Sequence, residues 1–229
     1  MKNHLPNAIT CLNLFAGCLA LTQIFAGNLQ TAAYFVGLAA AFDFADGLLA
    51  RALHASSPIG KDLDSLADMV SFGVVPGAFL FDLLMDPKVA SPSWLPYAGF
   101  IVTIFSALRL AKFNNDTRQT TSFIGLPTPA CTLVVASLPL ILAHDSFHIS
   151  SFILNPWVLV GLTVLLSGLL VAEIPLFALK FKNLSWQDNG VQFVFLLLTV
   201  ALLLGMQATA IPLVVLLYVV LSMLRPSVG

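Results

Sequence analysis

The chain has 229 residues, of which 59% are hydrophobic and only 9% charged. A soluble domain carries about 25% charged residues, so a water-facing surface is excluded and the length suits one helical membrane bundle. The formal net charge of -1 offers nothing to a nucleic acid.

A bilayer-spanning helix needs about 20 mostly apolar residues. Eight candidates follow in chain order: 7–26, 32–53, 62–85, 94–113, 125–143, 155–175, 191–206 and 208–224. Polar punctuation separates them at Gly27-Asn28, Ser56-Ser57-Pro58, Pro87 to Pro92, Asn114 to Ser122, His144 to Ser151 and Lys180 to Asn189. The last two spans require a tight hairpin around Gln207. No linker is long enough to divide domains, and there is no internal repeat. The expected fold is therefore all-α, a polytopic membrane helix bundle forming one domain over 1–229. Met1 to Pro6 runs into an apolar segment without an A-x-A-like site, so no cleavable signal peptide is expected. Cys11, Cys18 and Cys131 are odd in number and form no CxxC, and all three are read as small apolar packing residues.

Eight spans place both termini on one side. That side holds Lys2, Arg51, Lys61, Arg109, Lys112, Arg118, Lys180, Lys182 and Arg225, and the other holds Lys88. By the positive-inside bias the termini are expected in the cytoplasm.

The acidic residues are clustered. Of 11, five fall between 43 and 68: Asp43, Asp46, Asp62, Asp64 and Asp68. A carboxylate at membrane depth is costly unless it is paired or lines a polar cavity. Arg51 and Lys61 are too few to neutralise five. Asp43, Asp46, Gly47, Ala50 and Arg51 share one helix face, and Gly60, Asp64 and Asp68 share a face of the next helix. A turn through Ser56-Ser57-Pro58 would bring four carboxylates together, with Asp62 off the face. Hard oxygen ligands in that number suit Mg²⁺ or Mn²⁺ rather than zinc. Gly47, Ala50 and Gly60 leave room for a ligand near the backbone, or for close helix packing.

The string Asp43-x2-Asp46-Gly47-x2-Ala50-Arg51-x8-Gly60-x3-Asp64-x3-Asp68 resembles the signature of the CDP-alcohol phosphatidyltransferase family at every fixed position. Three further stretches look like the phosphatidylserine synthase branch of that family. They are Met69 to Pro76 (MVSFGVVP), Ala107 to Asn114 (ALRLAKFN) and Phe123 to Ala130 (FIGLPTPA). The opening Leu5 to Asn13 (LPNAITCLN) matches as well. The resemblance covers roughly the first 130 residues. It implies a helical membrane fold with a cytoplasm-facing polar cavity, a catalytic core over about 1–145 and extra C-terminal helices over about 150–225. It further implies two divalent ions held by Asp43, Asp46, Asp64 and Asp68, with Asp68 as general base, and a homodimer.

The expected reaction joins CDP-diacylglycerol and L-serine to give phosphatidylserine and CMP at an inner or plasma membrane. Gly47 and Arg51 are expected to hold the nucleotide or its phosphates, with Gly60 beside them. Asn7, Thr10 and Ser57 add contacts or serve as caps. Arg109 is the candidate for the serine carboxylate, because guanidinium grips carboxylate bidentately. Lys112 and Arg118 read as topology residues. Glu173, beside Pro175, stands apart from the cluster as a local interfacial residue without a role. His144 and His148 fall on the far side. The alternatives are glycerol 3-phosphate or an inositol phosphate as acceptor, or, in a different class, a cation transporter.

Overall fold

In hydrocarbon a chain must satisfy its backbone within its own helices or a closed barrel. The computed structural model describes residues 4–54, 57–89, 91–116, 123–176 and 186–224. The first hairpin is α1 (His4–Phe25) and α2 (Leu29–Leu53), joined at Gly27 in the left-handed region with φ +75°. Next, α3 (Pro58–Asp68), a π-helical turn (Met69–Val74) and α4 (Val75–Met85) run on as one path. A 3₁₀ turn (Leu95–Phe100) feeds α5 (Ile101–Asn115), followed by β1 (Phe123–Ile124), α6 (Thr128–His144), α7 (Ser150–Ile153) and α8 (Pro156–Val171). Last come β2 (Pro175–Leu176), α9 (Trp186–Met206), a 3₁₀ turn (Gln207–Thr209) and α10 (Ala210–Leu224).

Among the described residues five helical paths are long and apolar enough to cross a membrane: His4–Phe25, Leu29–Leu53, Pro58–Met85, Leu95–Asn115 and Asn189–Leu224. Two more, Thr128–His144 and Pro156–Val171, are shorter apolar helices. The protein is an all-α membrane bundle. Its axis is Pro58–Met85, with 61% of its most apolar stretch buried, whereas Asn189–Leu224 has 6% buried and lies at the periphery. The break expected near Gln207 is present: its φ is +49°, and α9 packs back on α10.

The axial path bends for a reason written in the sequence. Pro76 has no N–H, and its ring would clash with the Phe72 carbonyl in a regular helix. The chain widens into the π turn instead. The carbonyls freed there accept bonds from neighbouring helices, Phe72 O from Thr132 Oγ1 at 3.0 Å and Gly73 O from Thr103 Oγ1 at 2.8 Å. Ser71 Oγ in turn donates to the Asn13 carbonyl at 3.0 Å, tying α1 to the turn. The buried stripe of α1 is Pro6, Thr10, Asn13, Gly17, Ala20 and Ile24, a three-and-four spacing of small and polar residues that lets helices approach closely.

Two expectations are corrected. The sixth span ends as helix at Val171 rather than 175, because Pro175 pushes the residue before it out of the α region. Residues 172–174 are extended, and β2 pairs antiparallel with β1, Ile124 opposite Pro175. Gly125 (φ +77°) closes this junction: its N–H bonds the Ile174 carbonyl at 3.0 Å, and a Cβ there would meet Leu170 O at 2.6 Å. The cysteines also differ from one another, since Cys131 is buried in the core while Cys11 and Cys18 are exposed on the outer side of α1.

Gly17 tests the packing of α1 on the π turn. A Cβ there would meet Ser71 Oγ at 2.3 Å and Ser71 Cα at 2.9 Å, whereas one at Gly37 meets nothing within 4 Å. Gly17→Ala should destabilise the protein in detergent by about 1–3 kcal/mol, read as a lower Tm, and Gly37→Ala should leave Tm unchanged. Equal melting of the two variants would contradict this close approach.

Candidate active site

The site begins with how α2 ends and α3 starts. His54 (φ 52°) caps α2 with its N–H toward the Ala50 and Arg51 carbonyls. Ser57 then caps α3, its Oγ accepting from Gly60 N at 3.0 Å, with Pro58 in the first helical turn. This short reversal turns the acidic faces of α2 and α3 toward one point, and α1 packs on both helices.

Three of the four carboxylates predicted as ligands meet. Asp43, Asp64 and Asp68 each offer an oxygen within 4.8 Å of the others. Asp46, one turn beyond Asp43, is only 6% exposed and accepts from Thr10 Oγ1 at 2.6 Å through Oδ2. It remains close enough to Asp43 and Asp64 to repel both. Asp68 Oδ1 accepts from Asn13 Nδ2 at 3.3 Å. The donors that reach the cluster from α1 are thus neutral and leave its charge uncompensated. Hard oxygens converging in that way fit a divalent cation. Asp62 is exposed, off the face as expected.

Beside the carboxylates opens a cavity of about 260 Å³, lined by Asn7, Thr10, Asp46, Gly47, Ala50, Ser57, Gly60 and Asp64, with Pro6 and Lys61 completing it. Gly47 faces open space. Gly60 sits closely packed, since a Cβ there would stand 3.0 Å from both Asn7 Oδ1 and Ser57 Oγ. Ser57 therefore acts as a cap and also lines the cavity. Arg51, in the last turn of α2, is exposed and outside this lining. Lys61 reaches away, donating to the Asn114 carbonyl at 2.9 Å.

Arg109 lies elsewhere. It is 7% exposed, its guanidinium stands 5.6 Å from the Phe113 ring centroid, and its Nε has no hydrogen-bond partner. It lines a second cavity together with Lys112, which the sequence assigned to topology alone, and Glu173, which the sequence placed apart from any site. Asp68 is near enough to Arg109 to interact with it electrostatically. Arg118 falls outside the described residues.

Sequence reading missed Asn13 and Ser71. The signal was present: Asn7, Thr10 and Asn13 recur every three residues in an otherwise apolar helix, a polar stripe that a lipid-facing helix would not carry.

The profile of the CDP-alcohol phosphatidyltransferase family matches residues 3–169. CDP-diacylglycerol–serine O-phosphatidyltransferase of Bacillus subtilis is 33% identical over 176 residues, covering 75% of this chain and 89% of that protein. The Helicobacter pylori (strain J99) protein of the same name is 29% identical over 224 residues, 96% of this chain and 90% of that one. Archaetidylserine synthase of Methanothermobacter thermautotrophicus is 31% identical over 138 residues, 58% of this chain and 56% of that protein. With a converged acidic cluster, a cavity beside it and a match over most of its length, this chain belongs to the CDP-alcohol phosphatidyltransferase family.

Proposed function

We propose that this chain transfers the phosphatidyl group of CDP-diacylglycerol to L-serine, giving phosphatidylserine and CMP. The observation that carries the reading is the convergence of Asp43, Asp64 and Asp68 beside a cavity whose wall is kept open by Gly47 and Gly60. Each of the three relatives has serine in its name, although the lipid part differs between them.

Asp43, Asp46, Asp64 and Asp68 would hold two Mg²⁺ or Mn²⁺ ions. Bound there, the ions neutralise charge on the diphosphate and on the departing CMP. The lining residues Asn7, Thr10, Gly47, Ser57 and Gly60 receive the nucleotide, and exposed Arg51 meets it at the rim. Asn13 engages one oxygen of Asp68 and leaves the other for the acceptor. Asp68 takes the proton from the serine hydroxyl. The serine oxygen then bonds to the lipid-side phosphorus, and the bond from that phosphorus to CMP breaks, its electron pair leaving with CMP. Arg109 grips the serine carboxylate. Both termini and the site face the cytoplasm.

Membranes supplied with CDP-diacylglycerol, Mn²⁺ and labelled acceptors should incorporate serine. Incorporation of glycerol 3-phosphate or an inositol phosphate in its place would reject serine. Asp43→Asn, Asp46→Asn and Asp64→Asn should each abolish turnover with folded protein still in the membrane, and EDTA should do so reversibly. Turnover that persists in excess EDTA would rule out the metal mechanism.

The base is separable from the ligands. Asp68→Asn should lower kcat by about 10²–10⁴-fold, while CDP-diacylglycerol binding, measured by titration, is retained through the other three carboxylates. Loss of binding in parallel with rate would make Asp68 a ligand only.

Orientation is read from labelling. In a cysteine-free background, an impermeant thiol reagent applied outside should modify Ser91→Cys and spare Gln119→Cys, which lies outside the described residues. The opposite pattern would invert the topology.

A further inference from the structure

The nucleotide-side cavity accounts for the donor but leaves Arg109 and its surroundings unexplained. Arg109 is nearly enclosed, and its Nε has no hydrogen-bond partner. A guanidinium desolvated in this way favours an anionic ligand that can satisfy the remaining donors. It borders a cavity of about 330 Å³, and Glu173 stands in the wall of the same cavity. The cavity therefore presents a guanidinium and a carboxylate together, the two charges needed to bind the carboxylate and ammonium of a free amino acid.

Glu173 is not on a loose connection. Residues 172–174 are extended between α8 and β2, and they are fastened on both sides. Gly125 N donates to Ile174 O at 3.0 Å, and Leu126 N donates to Leu169 O at 2.9 Å. Asp116, the extended residue just after α5, lines the cavity as well.

We propose that Glu173 binds the α-ammonium group of the acceptor across this cavity from Arg109, and so selects an amino acid over other alcohols. The proposal rests on serine being the acceptor.

The test uses the full-length purified protein with Mn²⁺ and CDP-diacylglycerol in mixed micelles. Three acceptors are compared as substrates or as competitive inhibitors: L-serine, 3-hydroxypropanoate, which lacks the ammonium, and ethanolamine, which lacks the carboxylate. Glu173→Gln should raise KM for serine by about tenfold or more, weaken ethanolamine, and leave both 3-hydroxypropanoate and the KM for CDP-diacylglycerol unchanged. Glu173→Asp should recover part of the loss. Arg109→Lys should behave conversely, weakening serine and 3-hydroxypropanoate and sparing ethanolamine. An unchanged serine KM in Glu173→Gln, equal weakening of serine and 3-hydroxypropanoate, or transfer of the effect to Asp116→Asn would overturn the role of Glu173 with the serine reaction intact. A wild-type protein that does not incorporate serine would overturn both.

Discussion

The rest of this structure depends on holding like charges together where water is scarce. Oxygens of Asp43, Asp64 and Asp68 lie within 4.8 Å of one another. If ionised, any two of them at that distance would repel by about 3 kcal/mol at an effective dielectric of about 20, so the cluster needs a cation or a shared proton. The neutral donors on α1 position single oxygens without cancelling charge. In the proposed mechanism that charge is what draws in the divalent ions and, through them, the diphosphate.

Bringing the carboxylates together constrains the backbone around them. α1 must approach α3 and the π turn closely enough for Asn13 to reach Asp68 and for Ser71 to reach the Asn13 carbonyl. Gly17 lies on that seam because a Cβ there would collide with Ser71, and at Gly60 a Cβ would crowd the Asn7 and Ser57 side chains. The π turn begins at Met69, immediately after Asp68, and the threonines of α5 and α6 close the carbonyls it exposes. A widened turn beside a reactive side chain is a common arrangement at functional sites. Here Pro76 enforces it, and the surrounding hydroxyls stabilise it.

The proposed reading gives donor and acceptor separate surroundings. The donor side is built from the first three helices, whose residues supply the carboxylates and the small side chains. The Arg109 side draws on α5, the end of α8 and the extended residues before β2. The later helices are not inert: α10 packs on α6 and on β2, and Tyr218 is close enough to Arg109 to interact with it electrostatically. In the proposed reaction Asp68, which meets Asp43 and Asp64 and interacts electrostatically with Arg109, is the group that takes the proton from the acceptor.

Much of this was legible in the sequence, for identifiable reasons. Apolar runs of membrane length fix helices because hydrocarbon permits little else, and α1, α2, α6 and α10 appear close to their expected bounds. The spacing of Asp43, Asp46, Asp64 and Asp68 determined which faces carry charge, since a helix turns by a fixed angle per residue. Sequence could not separate Asp46, drawn toward Thr10, from the three carboxylates that meet, because that depends on where α1 lies. Nor could it join Glu173 to Arg109: these residues are 64 positions apart in the numbering, and only the β1–β2 pairing and the packing of α5 on α8 bring them to one cavity. Periodicity along one helix is a local property, whereas a pocket between helices exists only once the helices have been assembled.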